Sequence, residues 1–289
     1  MAKADGLLNK HGDELFCALQ RILPQHALSR LVAMLAETRS VWLKNYLIKL
    51  FIRHYGINLD ELENPGADNY GSFNEFFTRP LAEGARPISS NPSIIASPAD
   101  GTICQLGAIH RGELIQAKGK SYSVNTLLSE EITRMGDFEN GIFSTIYLSP
   151  KDYHRVHMPL AAQLISSCYI PGKLFSVNPA TSREINNLLA RNERLVCLFN
   201  SDAGKFAMVL VGAMLVAGIE SVWHGSYLPG QYKKASHKDI EFARGDEMGR
   251  FKFGSTVVLV FENKRAHWES ALHADDSVKM GQSIGYLSQ

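Results

Sequence analysis

The stretch Gly249-Arg-Phe-Lys-Phe-Gly-Ser-Thr-Val-Val-Leu-Val-Phe261, near the C-terminus, constrains this chain most. Thr256 to Phe261 is an unbroken run of β-branched and aromatic residues, the composition of a buried strand. Immediately before it stand Gly254 and Ser255. Glycine permits backbone geometries that other residues resist, and a serine hydroxyl can attack the carbonyl that precedes it. Ser255 Oγ and the Gly254 carbonyl carbon belong to adjacent residues, so that reaction needs no second molecule. An isolated Gly-Ser-Thr is more often a strand-entry turn with a solvated hydroxyl pair, and the rest of the chain has to decide.

The 289 residues allow one large domain or two ordinary ones. A formal net charge of +1 argues against a dedicated nucleic-acid binder. Cys17, Cys104, Cys168 and Cys197 are widely spaced and form no C-x-x-C pair, so they read as reduced, buried thiols. Residues 1–14 mix charges and lack the apolar core of a signal peptide, and no cleavable signal is expected. The longest apolar or glycine run, Ala207 to Ile219, falls short of the ~20 residues a membrane-spanning helix needs and reads as buried strand.

Residues up to about 63 have a different character. Leu15, Phe16, Leu19, Ile22 and Leu23 recur at helical spacing before Pro24, and Leu28, Leu31, Val32 and Leu35 make a second stripe. A third stripe runs Leu43, Tyr46, Leu47, Leu50 and Phe51, with Lys44, Asn45, Lys49 and Arg53 expected on the other side. Such basic helices, carrying Trp42, Tyr46, Phe51 and Tyr55, suit a lipid headgroup layer, and they equally suit a cap packed on the main body.

The turn-rich passage Asn64-Pro-Gly-Ala-Asp-Asn69 marks the expected boundary between a helical region, 1–63, and a β-rich domain, 64–289. Ser72 and Glu75 form a possible capping box for a short helix. Short strands are expected at Ser93–Ala96, Gly101–Leu106, Leu114–Ala117, Phe143–Leu148, Gln163–Ile170 and Leu195–Phe199, with one helix over Ile185–Arg191. The fold class is therefore α+β, with amphipathic helices preceding a mostly antiparallel β body.

Three polar clusters interrupt the strands: Ser97-Pro-Ala-Asp-Gly101, the segment Tyr153-His-Arg-Val-His-Met-Pro159, and Gly254-Ser255. An acid, two histidines and a serine are the ingredients of an activated nucleophile. The same histidines with Asp100 complete no recognisable zinc spacing, and no metal is expected.

These clusters, with Phe73-Asn-Glu-Phe-Phe77, Arg79-Pro80, Ala117-Lys-Gly119, Phe175-Ser-Val-Asn178, Asn192-Glu-Arg194 and Glu247-Met-Gly-Arg-Phe251, stand in one order that resembles the phosphatidylserine decarboxylases, particularly the bacterial form. The resemblance extends from the basic helices almost to the C-terminus. One departure is Phe253, where that family usually has Leu. The resemblance implies a barrel-sandwich hybrid core and a proenzyme that cuts itself between Gly254 and Ser255 into chains 1–254 and 255–289. Asp100 would orient His157, and His157 would deprotonate Ser255. Ser255 would become a covalent pyruvoyl group, with no metal or pyridoxal phosphate, and His154 would protonate Cα of the decarboxylated substrate. The implied partners are phosphatidylserine and an anionic membrane surface, on the cytoplasmic face of a bacterial cell membrane. The two chains would stay associated as a heterodimer, with assembly into a further homo-oligomer left open. By charge, Lys118, Lys120 and Arg155 are candidates for gripping the headgroup.

Three other readings compete. A serine hydrolase would use the same Asp, His and Ser, but no Gly-x-Ser-x-Gly elbow surrounds Ser255. A carrier module would explain Ser97–Ile103 and Val278–Ile284, but no attachment lysine accompanies them. A decarboxylase of a soluble amino acid is the nearest competitor, separated by assaying free serine against the lipid.

Overall fold

Ser255–Phe261 is a strand with every residue buried, and it lies inside the largest sheet. The computed structural model describes residues 12, 14, 16–117, 119–214, 218–227, 230–252, 255–262 and 265–288. Eight strands carry the argument: β1 (Gly101–Ala108), β2 (Ile142–Leu148), β3 (Arg155–His157), β4 (Ala162–Ile170), β5 (Arg194–Ser201), β6 (Gly204–Val211), β7 (Glu247–Phe251) and β8 (Ser255–Phe261). The main sheet runs β4-β5-β6-β8-β2-β1, extended by Lys233–Ser236 beyond β4 and Ser277–Val278 beyond β1. Its strand pairings are antiparallel throughout.

Side chains alternate across a strand, so β8 feeds two cores. Val257, Leu259 and Phe261 enter one, and Val258 and Val260 enter the other. Burial on both faces is why this strand reads as a continuous apolar run instead of alternating. The first core is closed by two smaller sheets. A three-stranded one (Ile94–Ala96, Ser283–Leu287, Ala266–Trp268) supplies Ile95 and Ile284. A four-stranded one, in which β7 lies between Ile219–Ser221 and β3, supplies Ile219, Met248, Phe251 and Val156. Leu114, Tyr122, Leu127 and Leu188 cover the opposite face from a hairpin and short helices. Among the described residues the sheets are open and no barrel closes, within the expected α+β class.

Among the described residues four α-helices precede the sheets: α1 (16–22), α2 (Gln25–Ala36), α3 (Val41–Tyr55) and α4 (Phe73–Phe77). Leu15 lies outside the described residues. A third core joins α3 to α4 through Ile48, Phe51, Phe73, Phe76 and Phe77. Each buried phenylalanine contributes about 2 kcal/mol by leaving water. Ser72 Oγ accepts from the Glu75 amide as a helix cap should, but the Glu75 carboxylate returns to Gly71 N and not to Ser72.

Two local expectations are corrected. Lys44 is not on a solvated face: it is buried beside Ile48, where its ammonium donates to Asn45 Oδ1 (2.6 Å) and to the Ala67 carbonyl (3.3 Å). The exposed side of α3 instead carries Trp42, Tyr46, Lys49, Leu50 and Arg53 together. The helix expected over Ile185–Arg191 is shortened to Leu188–Arg191, because Ile185 is extended, ending a separate helix Pro179–Glu184, and Asn187 takes a left-handed conformation (φ 55°). Within the Ala207–Ile219 run, β6 ends at Val211 and Ile219 opens a separate strand, Ile219–Ser221, while residues 215–217 lie outside the described residues. Three of the four cysteines are buried and Cys104 is half-buried; none of them is in a disulfide.

Candidate active site

Register decides which groups meet. The segment Leu148–His157 leaves β2, turns, and returns as β3. Ser255 opens β8 opposite Leu148 of β2. In the neighbouring sheet β3 runs antiparallel to β7, with Glu247 opposite His157 and Arg250 opposite Arg155. The Phe251 amide then donates to the His154 carbonyl (3.0 Å). Following β7 towards Ser255, the partner residue therefore moves from His157 to His154. Gly254 and Phe253 lie outside the described residues.

The Ser255 side chain is fully buried, and among the described residues its Oγ has no hydrogen-bond partner. Such an orphaned hydroxyl costs about 1–3 kcal/mol. A nucleophile must stay free, so the cost fits a reacting group better than a structural one.

Both histidines are buried. Nδ1 of His154 donates to the Asp152 carbonyl (2.7 Å), which leaves Nε2 as the acceptor, and among the described residues Nε2 is also without a partner. Its ring lies against Phe77, centroids 4.1 Å apart. Burial pushes its pKa down to about 3; the nearby Arg79 charge acts in the same direction and the Asp152 hydrogen bond opposes both. His154 is therefore a neutral base with a free lone pair. Nδ1 of His157 donates to the Gly245 carbonyl (2.8 Å), and its Nε2 accepts from the Tyr153 hydroxyl (3.0 Å). Burial lowers the pKa of His157 too, and burial raises that of Tyr153, which keeps the phenol protonated as donor.

Asp100 sits beside this pair but does not bond to it. The amide of His157 donates to the Pro98 carbonyl (2.8 Å), which brings the Ser97–Gly101 turn alongside. The carboxylate itself accepts from the Arg86 guanidinium on both oxygens (Nη2 to Oδ2, 2.6 Å) and from the Met280 amide (2.8 Å). Of the headgroup candidates, Arg155 is committed to Thr78 O and Glu247. Lys120 lies on the hairpin that covers the opposite core, and Lys118 is outside the described residues.

Sequence reasoning missed the roles of Arg86, Tyr153 and Arg79. Arg79 is 3% exposed, donates to the Phe77 and Lys151 carbonyls, and has no carboxylate partner among the described residues. It lines a cavity of about 300 Å³ together with Arg86, Asp100 and Tyr153. Tyr153 and Arg79 both stood within singled-out phrases, so position marked them although chemistry did not. Nothing in the sequence distinguished Arg86. Among the described residues no group of three or more His, Cys, Asp and Glu side chains is placed to hold a metal ion.

Comparison with known proteins agrees across the whole chain. The family model for phosphatidylserine decarboxylase matches residues 73–286, and a second, described only as PSD, matches residues 15–56. A phosphatidylserine decarboxylase proenzyme of Azotobacter vinelandii is 47% identical over 285 residues, covering 96% of this chain and 99% of its own. Proteins of the same name from Stutzerimonas stutzeri and Acinetobacter baylyi are each 48% identical, covering 94% of this chain and 94% and 95% of theirs. The chain belongs to the phosphatidylserine decarboxylase family.

Proposed function

We propose that this chain is a self-processing proenzyme that decarboxylates phosphatidylserine to phosphatidylethanolamine. The observation that carries the reading is the buried, unpartnered Ser255 Oγ at the mouth of the central strand, in a chain of this family. In maturation, Ser255 Oγ gives its proton to a histidine and attacks the Gly254 carbonyl carbon. The amide nitrogen leaves and an ester forms. Elimination then frees the Gly254 carboxylate and leaves dehydroalanine, which tautomerises and is hydrolysed with release of ammonia. The product at residue 255 is a pyruvoyl group, and the chains 1–254 and 255–289 remain one folded unit.

When formed, the group supplies an electrophilic sink for the electrons released at Cα as carbon dioxide departs. The chain's own residues then have to deliver a proton to Cα, and we assign this to His154, whose neutral Nε2, without a partner among the described residues, would take up a proton shed by the substrate ammonium and pass it on. His157 is assigned to maturation, with Asp100 and Arg86 holding the adjoining turn. One observation favours exchanging the two histidines: the register places His154 on the Ser255 side, whereas His157 Nε2 is already occupied by Tyr153.

Docking is proposed for the region 1–63, and the β-rich domain 64–289 for the chemistry. Exposed Trp42, Tyr46 and Leu50 are interleaved with Lys49 and Arg53 on α3, and this supports attachment at an anionic headgroup layer on the cytoplasmic face of a cell membrane. No helix among the described residues is long and apolar enough to cross a membrane.

Intact-mass measurement tests the reading. Wild-type protein should give two masses, with residues 255–289 lacking a free α-amine, and Ser255→Ala should give one uncut chain. An active enzyme that stays uncut would sink it.

A further inference from the structure

A second cavity, of about 540 Å³, lies between α2 and the main body, lined by none of the groups assigned to the reaction. Its charged lining is entirely basic. Arg21 and Arg30 come from the helices, Lys173 and Arg191 from the body, and His26 stands beside them. None of the four long cations makes an ion pair among the described residues, and no acidic side chain lines the space. Like charges around one opening build a positive potential that an anion relieves.

The walls are set before any ligand arrives. Gln25 Oε1 accepts from the Leu174 amide (2.9 Å) and Gln20 Oε1 from the Ser176 amide (2.7 Å), and both glutamines are buried. The ring of His26 meets the Gly172 carbonyl through Nε2 (3.1 Å). Arg191 lies over the Phe175 ring at 5.1 Å. On the same two helices Leu19, Ile22, Leu31 and Met34 are exposed, Ile22 at 84%. A soluble anion would satisfy the cations and leave these apolar side chains in water. A lipid in a bilayer satisfies both.

We propose that this cavity binds the phosphate headgroup of one anionic phospholipid, separately from the substrate's site, while the neighbouring apolar residues enter the acyl layer. The proposal shares only the presence of a bilayer with the docking reading above, and it does not depend on the chemistry at Ser255.

Two charge-matched variants of the full-length protein test it: Arg30→Gln with Arg191→Gln in the cavity, and Lys49→Gln with Arg53→Gln on α3. Each is mixed with phosphatidylcholine vesicles, with and without phosphatidylglycerol, and bound protein is separated by flotation. Self-cleavage reports folding, and failure to cut in both variants and wild type would strike the Ser255 reading alone. The cavity pair should bind anionic vesicles at least about tenfold more weakly than the α3 pair, a difference of about 1.4 kcal/mol. Lys173→Gln should shift binding in the same direction and serves if the double variant does not accumulate. Equal losses in the two pairs would show that only surface charge counts and would overturn the proposal. Inorganic phosphate raising the melting temperature of wild type but not of the cavity pair, without any vesicle difference between the pairs, would assign a free phosphate and overturn the lipid.

Discussion

The Tyr153 hydroxyl donates to Nε2 of His157 across 3.0 Å, while Nδ1 of the same ring donates to the Gly245 carbonyl at 2.8 Å. One partner fixes the tautomer and the other occupies the lone pair that a general base would use. If His157 takes the Ser255 proton, that bond must break first. Tyr153→Phe removes it, and one net hydrogen bond of about 1 kcal/mol corresponds to roughly a fivefold faster cut. Time courses of self-cleavage measure this directly. An unchanged rate would move the base role away from His157.

Acid should destabilise the uncut protein partly through His154. Burial holds its folded pKa at about 3, against 6.5 for the unexposed-to-burial ring of the unfolded chain. Between these values the unfolded chain binds a proton that the native state refuses. The contribution is fully present above pH 6.5 and is lost progressively as pH falls towards 3, by roughly 1.4 kcal/mol per pH unit. Urea unfolding of Ser255→Ala, which stays one chain, should show this slope from pH 6.5 downward. Adding His154→Leu should flatten it, and an unaltered slope would show that other groups carry the acid sensitivity.

Vesicle binding should depend on Lys49 and Arg53 but not on Lys44. The first two are exposed among Trp42, Tyr46 and Leu50, while Lys44 is buried against the Ala67 turn. Lys49→Glu with Arg53→Glu should weaken binding to anionic vesicles and leave self-cleavage intact. Added salt should weaken the wild type as well, since exposed charges are screened over about 10 Å at 0.1 M. Lys44→Met should instead lower the melting temperature with little effect on binding. The reverse pattern would mean that α3 is only a cap.

How far the sequence could be read follows from what each signal depends on. The central strand was legible because burial on both faces leaves no polar residue to confuse the pattern, and β2, β4 and β5 were found within one or two residues at each end. Arg155–His157 and Glu247–Phe251 were not recognised as strands, because short segments with polar side chains gain their pairing from each other across a long separation in sequence. Lys44 was misplaced because a helical stripe cannot foresee a carbonyl, that of Ala67, positioned to receive a buried ammonium. The residues Asp100, His154, His157 and Ser255 were all singled out; the Asp100 turn meets the histidine segment through the Pro98 carbonyl, and Ser255 pairs with Leu148, where that segment leaves β2. Their hydrogen-bond partners were not legible. Tyr153, Gly245 and Arg86 reach the site through tertiary contacts that leave no spacing pattern in the chain.

The two histidines make the sharpest test, because they share one segment and differ in what their rings touch. His154 has a free Nε2 and a backbone bond to Phe251, four residues before Ser255. His157 has both nitrogens engaged and stands opposite Glu247, farther along β7. Under the assignment of His157 to maturation, His157→Ala should accumulate uncut proenzyme. Asp100→Asn should do the same more weakly, since its contact with the ring is indirect, through the turn that Arg86 holds. His154→Ala should still cut, yet should release little carbon dioxide, because no proton carrier on the segment would return a proton to Cα. Mass spectrometry reads the cut and headspace carbon dioxide reads turnover, so each variant gives two independent answers. Uncut protein from His154→Ala together with normal cutting by His157→Ala would exchange the roles, in the sense that the register already favours.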